Sequence, residues 1–500
     1  SEYTDTTTGV VRIMNNNVIT DTAACRSKPM QVVQMADKSI WVADAKYGLQ
    51  RLYLGAMYSF APPGPMDAGA YDIYANNKDL FIAHGGFTEL YAADFNYNGV
   101  SRLNGNDNKW KYYKESYADP FYRVSDMVSV LKDESDGTVY MGSFMDGLFI
   151  QKPDGNYQVF NKTNSIFEPS FAYGDENRQI IGIALDKSKN LWVSQMFTTD
   201  QLYARTPKGD WYKFRVPGGG FGGTTLVDDY GQVWFINSLG GGLSVYDPNG
   251  TVDIVSDDSY YHLSTGAGAG NLPDNNVLCI AKDKNNNIWV GTSNGIGIIN
   301  HCSAPFTGTA PCDADQPVVQ YDQFAGLLFA GNTVRTIAVD GANRKWVGTN
   351  DGVWLLSADA SKIIYRFTKD NSPMPSDVVE KIAIDNVTGD VYIGTDQGLV
   401  SYRSTATEGG TVNNNVTTFP NPVPSGYTGT IAIKGLVANA DVRITDIDGQ
   451  LVYRTKALGG QAVWNGTDYK GHRPQTGVYL IFVSNSDGTQ TYSGKMVFLQ

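Results

Sequence analysis

Asp94-Phe95-Asn96-Tyr97-Asn98-Gly99 sets oxygen-bearing side chains at alternate positions and a glycine at the sixth, as the first half of a calcium loop does. The twelfth position is Gly105 and not a bidentate Glu, so Asp94, Asn96 and Asn98 fit an ordinary turn as well as a calcium site. No other cofactor is expected. Aromatic rings offer a second chemistry. Trp110, Tyr112, Tyr113, Tyr117, Phe121 and Tyr122 crowd one stretch, and Tyr260, Tyr261 and His262 another. Such rings stack on sugars or anchor a protein partner; their alternative use is packing between sheets. Trp110, Tyr112, Tyr113, Tyr260 and Tyr261 are the candidate ligand-binding residues.

Catalytic patterns are missing. His84, His262, His301 and His472 are too far apart in sequence to suggest one metal site. There is no phosphate loop; the glycine runs at Gly218–Gly223 and Gly240–Gly242 are followed by no Lys-Ser/Thr. The acid pairs Asp228-Asp229 and Asp257-Asp258 read as turns. No catalytic residue is assigned, and the expectation is a non-enzymatic protein, with a propeller lyase or glycosidase as an alternative.

Cys302 and Cys312 flank a Pro/Gly/Thr loop and read as a disulfide that staples it. Cys279 reads as a small core residue, and Cys25 has no evident partner. Net charge is −12. The tail from Thr411 has seven Lys or Arg and five Asp, so the part before it carries −14. An acidic body argues against nucleic acid as a partner, because phosphate binding needs cations. Ser1 onward is polar and reads as no signal peptide, so a mature or trimmed product is expected, with residues upstream.

A repeat positions these residues. Its clearest copy runs Val277 to Asp283, then Asn285-Asn286-Asn287, then Ile288-Trp289-Val290-Gly291-Thr292, then Asn294-Gly295-Ile296-Gly297. Further copies centre on Trp346 and Tyr392, and looser ones on Trp41, Phe81, Tyr140, Trp192 and Trp234. A period of roughly 40 to 60 residues is that of a four-stranded propeller blade. One blade cannot bury both faces, so the blades must close into a ring. The expected architecture is therefore all-β: a β-propeller over 1–403, a flexible linker over 404–416, and an Ig-like β-sandwich over 417–500. Eight repeat units argue for eight blades; seven with one orphan unit is the alternative. The strands around Val10-Val11 and Val18-Ile19 would complete the last blade.

The units Trp-Val-Gly-Thr-x-x-Gly resemble the propeller repeat of periplasmic two-component regulators. The tail, with Phe419-Pro420-Asn421-Pro422, Asp446-Ile447-Asp448-Gly449, Trp464-Asn465-Gly466 and Thr476-Gly477-Val478-Tyr479, resembles the C-terminal sorting domain of type IX secretion in Bacteroidetes-type bacteria. Together they resemble the PorZ-type surface components of that system. The resemblance implies an exported protein on the outer surface of the outer membrane, without a transmembrane segment. It implies partnership with the sortase PorU and other attachment-complex proteins, and binding of anionic lipopolysaccharide for cargo anchoring. PorZ-type proteins carry two propellers, so this chain is expected to be the C-terminal portion of such a protein. The competing expectation is exported cargo with a glycan-binding or adhesive propeller.

Overall fold

The computed structural model describes residues 2–499 apart from 6–9, 16–17, 25–28, 45–47, 61–62, 89, 114–119, 217–220, 301–311 and 322–323. The chain forms two compact units, Ser1–Pro65 and Met66–Gln500. Among the described residues the one helical element is the short 3-10 turn Val255–Asp257.

In the larger unit seven antiparallel sheets follow one another as blades 1 to 7. Their innermost strands are Asp72–Asn76, Met127–Lys132, Ile180–Leu185, Gly222–Val227, Val277–Lys282, Val334–Val339 and Val379–Asp385. Each packs beside the next, and the seventh packs beside the first, so the ring closes at seven. The Trp41 unit is the orphan. It forms a four-stranded sheet in the smaller unit, where Pro29–Gln34, Ile40–Asp44, Gly48–Tyr53 and Ala56–Phe60 pair in order. Glu2–Asp5, Val10–Asn15 and Val18–Ala24 pair with one another there. The sheet of blade 7 is three-stranded, and the N-terminal strands are not part of it.

Each residue of the repeat has a mechanical use. Asp186, Asp228, Asp283 and Asp340 open the first hairpin of their blades, and each accepts the indole N–H of the tryptophan six residues on, at 3.0–3.3 Å. Trp192, Trp234, Trp289 and Trp346 are thereby buried between blades with their one polar atom satisfied. In blades 5 and 6 the glycine two places later is where the next blade abuts. A Cβ on Gly291 would stand 2.7 Å from Val334, and one on Gly348 2.6 Å from Val379. The following threonine ties off the turn, as Thr292 Oγ1 donating to the Gly295 carbonyl at 3.0 Å shows.

Closure departs from this pattern in an informative way. In blade 7 the aromatic residue is Tyr392, seven places after Asp385, and the carboxylate has no indole to hold. It accepts the backbone N–H groups of Asn77 (3.2 Å) and Lys78 (2.7 Å) from the hairpin of blade 1. Lys381 of blade 7 also pairs with Asp72 of blade 1 at 2.7 Å. Asp385→Ala should cost about 1–3 kcal/mol, because it removes the charged acceptor of the Asn77 and Lys78 amides at a part-buried seam. Urea unfolding should show it; a change under 0.5 kcal/mol would mean that Asp385 does not hold the ring shut.

The C-terminal module is a sandwich. One sheet holds Thr417–Phe419, Ile431–Lys434 and Gln461–Trp464; the other holds Leu451–Lys456, Asp441–Thr445, Gly477–Ser484 and Thr491–Phe498 in that order. Alternation sends Tyr479, Ile481 and Val483 inward, onto Trp464, Ile433, Val442 and Phe498.

Candidate functional site

The loops after the second strands of the blades meet at one end of the ring, and there the segment between Ala83 and Val100 leaves blade 1. Phe87 packs on Tyr71 (5.0 Å between ring centroids) and Phe144 (4.7 Å). Phe144 meets Tyr173, Tyr173 meets Phe197, and Phe197 meets Phe221, each pair within 6 Å. Tyr91 stacks on Phe87 and brings its hydroxyl to Ser238 and the backbone of Leu239 in blade 4. Blades 1 and 4 are three steps apart in a ring of seven, so a segment joining them lies across its end. The rings make an apolar plug, with Val128 and Ile181 from the inner strands beneath it.

Polar groups gather at the same end on the side of blades 6 and 7. Arg335 and Glu380 follow the first residues of their inner strands, at bulges in the pairing. Their charged groups are 3.9 Å apart. Burial raises the Glu380 pKa above the ordinary value of 4.5 despite the attraction of Arg335. A raised carboxyl pKa is stabilising below 4.5, and that contribution is lost as pH rises through the folded value. Glu380→Gln should therefore raise the melting temperature at pH 7 and leave it nearly unchanged at pH 4.

The candidate residues named from sequence do not come together. Asn96 and Asn98 turn their amide NH2 groups toward Asp67, at 3.1 and 2.7 Å, and Asn96 also donates to the His84 carbonyl. Asp94 lies against Gly86, where a Cβ would stand 2.5 Å from its carboxylate oxygen. Among the described residues no three His, Cys, Asp or Glu side chains form a metal-ligand set. His84 is buried between the Gly69 carbonyl and Ser101. On the outer strand of blade 1, Trp110 packs on the cluster of Ile73, Leu80 and Ile82, which Tyr392 and Leu399 of blade 7 also cover. Tyr113 packs toward blade 2, donating to Gln151 Oε1 at 2.9 Å. Tyr112, between them on the same strand, is half-buried. On blade 4, Tyr260 packs toward blade 3 and Tyr261 toward blade 5. Cys312 is disulfide-bonded and buried; Cys302, the expected partner, lies outside the described residues. Cys279 is free, and burial pushes its thiol up to about 12.

Sequence reasoning missed the seam between ring and sandwich. Residues 404–416, which composition reads as a flexible linker, are hydrogen-bonded to both bodies. Arg344 of blade 6, paired with Asp340 at 2.8 Å, donates to Ser404 (2.9 Å) and Thr405 (3.3 Å). Glu408 takes the ammonium of Lys284 from blade 5, and its backbone N–H bonds to the Asn386 carbonyl of blade 7. On the other side Thr407 pairs with Gly459 and Gly410 with Val437 in parallel bridges, and Gln461 donates to the Thr405 carbonyl at 3.1 Å. Glycines let the three backbones touch. A Cβ on Gly341 of blade 6 would stand 2.0 Å from the Thr407 oxygen, and one on Gly459 would meet both that oxygen and that of Gly341. The clue in the sequence was the run of small residues around Gly341, Gly409-Gly410 and Gly459-Gly460.

Two family matches fall on these bodies. Residues 271–294 match the two component regulator propeller, and residues 417–498 match the secretion system C-terminal sorting domain. No curated protein matches the chain. Among solved structures, PorZ of Porphyromonas gingivalis, described as an essential bacterial surface component of the type-IX secretion system, is 24% identical with a TM-score of 0.70. That match covers 98% of this chain and 68% of PorZ. The extracellular domain of a putative one component system from B. thetaiotaomicron is 13% identical with a TM-score of 0.46, over 97% and 64% of the two chains. An inactive variant of virginiamycin B lyase from Staphylococcus aureus is 12% identical, with a TM-score of 0.46 over 67% and 94%. The chain is thus PorZ-like in fold, a regulator-type propeller bearing a secretion sorting module, and it is exported.

Proposed function

We propose that this protein is a non-enzymatic surface component of the type IX secretion machinery that works beside the sortase PorU and presents anionic lipopolysaccharide for cargo anchoring. The observation that carries the reading is the seam. A tail that serves only as an address needs no docking site on its own passenger, yet this one shares a glycine-lined, hydrogen-bonded contact with blades 5 to 7. The similarity in fold to PorZ supports the same role. The aromatic plug favours a scaffold over the lyase or glycosidase alternative, because it fills the ring end around which catalytic groups would have to converge.

Deleting the gene tests the proposal. Loss of tail removal from several unrelated exported proteins is the expected result. Loss of a single surface activity, with other cargo processed normally, would make the chain cargo. Mass spectrometry of the surface-exposed protein should recover peptides from 477–498, because a machinery component keeps its sorting module.

A further inference from the structure

The outer face of the four-stranded sheet of the sandwich carries side chains that the fold does not require. On Gly477–Ser484, Val478, Leu480 and Phe482 alternate with the buried residues and point away from the core; Val478 and Phe482 are 40% and 42% exposed. Leu451 extends this apolar stripe across the pairing Leu451–Thr445–Leu480. Cations surround it. Arg443 lies opposite Phe482 on one side and opposite Arg454 on the other, Lys495 lies opposite Leu480, and Lys456 lies opposite Asp441. Like charges directly opposite on paired strands destabilise a sheet. Here the two arginines share the single carboxylate of Asp441, at 3.0 and 2.7 Å. Four cations against one acid leave the face at +3.

We propose that this face is a docking surface for an anionic lipid bilayer. Exposed aliphatic and aromatic side chains set among Lys and Arg suit the boundary between charged headgroups and acyl chains. Charge also sets the orientation. The part of the chain before Thr411 carries −14 and is repelled by an anionic surface, whereas the tail carries seven cations, five aspartates and no glutamate. Of ring and sandwich, it is the sandwich that can approach such a surface at low electrostatic cost. The inference rests on the residues of this sheet and not on the secretion role.

Co-sedimentation of the full chain with phosphatidylcholine vesicles, with and without 30% phosphatidylglycerol, tests it. Binding should need the anionic lipid and weaken steeply between 50 and 500 mM salt, as screening requires. Arg454→Glu should weaken it by on the order of tenfold or more, since each cation near the surface is worth roughly fivefold and the substitution also adds a repelled anion. Phe482→Ser should weaken it by a few-fold without changing the salt dependence. Unchanged near-UV circular dichroism would show that both variants are folded. Equal binding to neutral and anionic vesicles, or full binding by Arg454→Glu, would overturn the proposal. So would a lipid-insensitive protein that self-associates through this face until Phe482→Ser prevents it.

Discussion

Gly459→Val should detach the sorting module from the ring while leaving both folded. Its backbone stands at φ +63°, and an added Cβ would lie 2.0 Å from the Thr407 oxygen and 2.5 Å from that of Gly341. Both oxygens are main-chain atoms of other segments, so no flexible side chain can yield. Opening the seam would break the Thr407–Gly459 bridge and the Gly460 N–H bond to the Thr407 carbonyl, which is 2.9 Å long. Gly341→Val attacks the same contact from the ring and should act alike. Two measurements follow. Limited proteolysis should cut the variants within 404–416 and release a sandwich-sized fragment, whereas the parent protein resists. Calorimetry should resolve one added transition as the sandwich unfolds independently. Gly69→Ala, at a glycine with open space around it, serves as the control. Equal protease resistance of Gly459→Val and the parent protein would show that ring and tail are held by something other than this seam. It would also remove the main support for the proposed role.

The ring was legible because its signals repeat. A tryptophan six residues after an aspartate, then glycine and threonine, reports local pairing and the approach of the next blade together. Four of the seven blades pair that aspartate with a tryptophan, and blades 5 and 6 carry the glycine and threonine as well, which is enough to set the period. Composition misled over the linker because glycine has two uses. It loosens a free chain, but it also permits backbone contact where a Cβ would collide, and Gly409 serves the second purpose. Trp110, Tyr112 and Tyr113 read as one aromatic cluster, yet strand alternation sends Trp110 and Tyr113 toward different neighbours. The spacing of Asp94, Asn96 and Asn98 imitates a calcium loop, and what decides their use is Asp67, some thirty residues upstream. The face of the sandwich was equally hidden, since Arg443, Arg454, Phe482 and Lys495 are joined only by register across four strands.

Lys345 was the least legible residue of all, and its partner carries the largest stability prediction. The position before the blade aromatic is apolar in its neighbours, Leu191, Val233, Ile288 and Val391. In blade 6 it is a lysine that is 0% exposed, paired at 3.0 Å with Asp283 of blade 5, which is 1% exposed. The ammonium also donates to the carbonyls of Asn343 and Ala358 and lies 4.5 Å over the Trp289 ring. Asp283→Ala removes the carboxylate bonded to this cation and should cost about 3–5 kcal/mol, as an uncompensated buried charge does. Lys345→Met should cost much less. It leaves Asp283 with the amides of Asn285 and Asn287 and the indole of Trp289, and the new side chain suits a site otherwise filled by aliphatics. The double variant should be more stable than Asp283→Ala alone, which a cycle of urea unfolding curves can establish. Acid should act on the same pair. Burial opposes the charge on Asp283, but the Asn287 amide and the Lys345 ammonium outweigh it and hold its pKa below 3.8. Its stabilisation is therefore present above pH 3.8 and is lost as pH falls through the folded value. The parent protein should lose stability there more steeply than the double variant, and parallel losses would show that the pair is not what acid breaks.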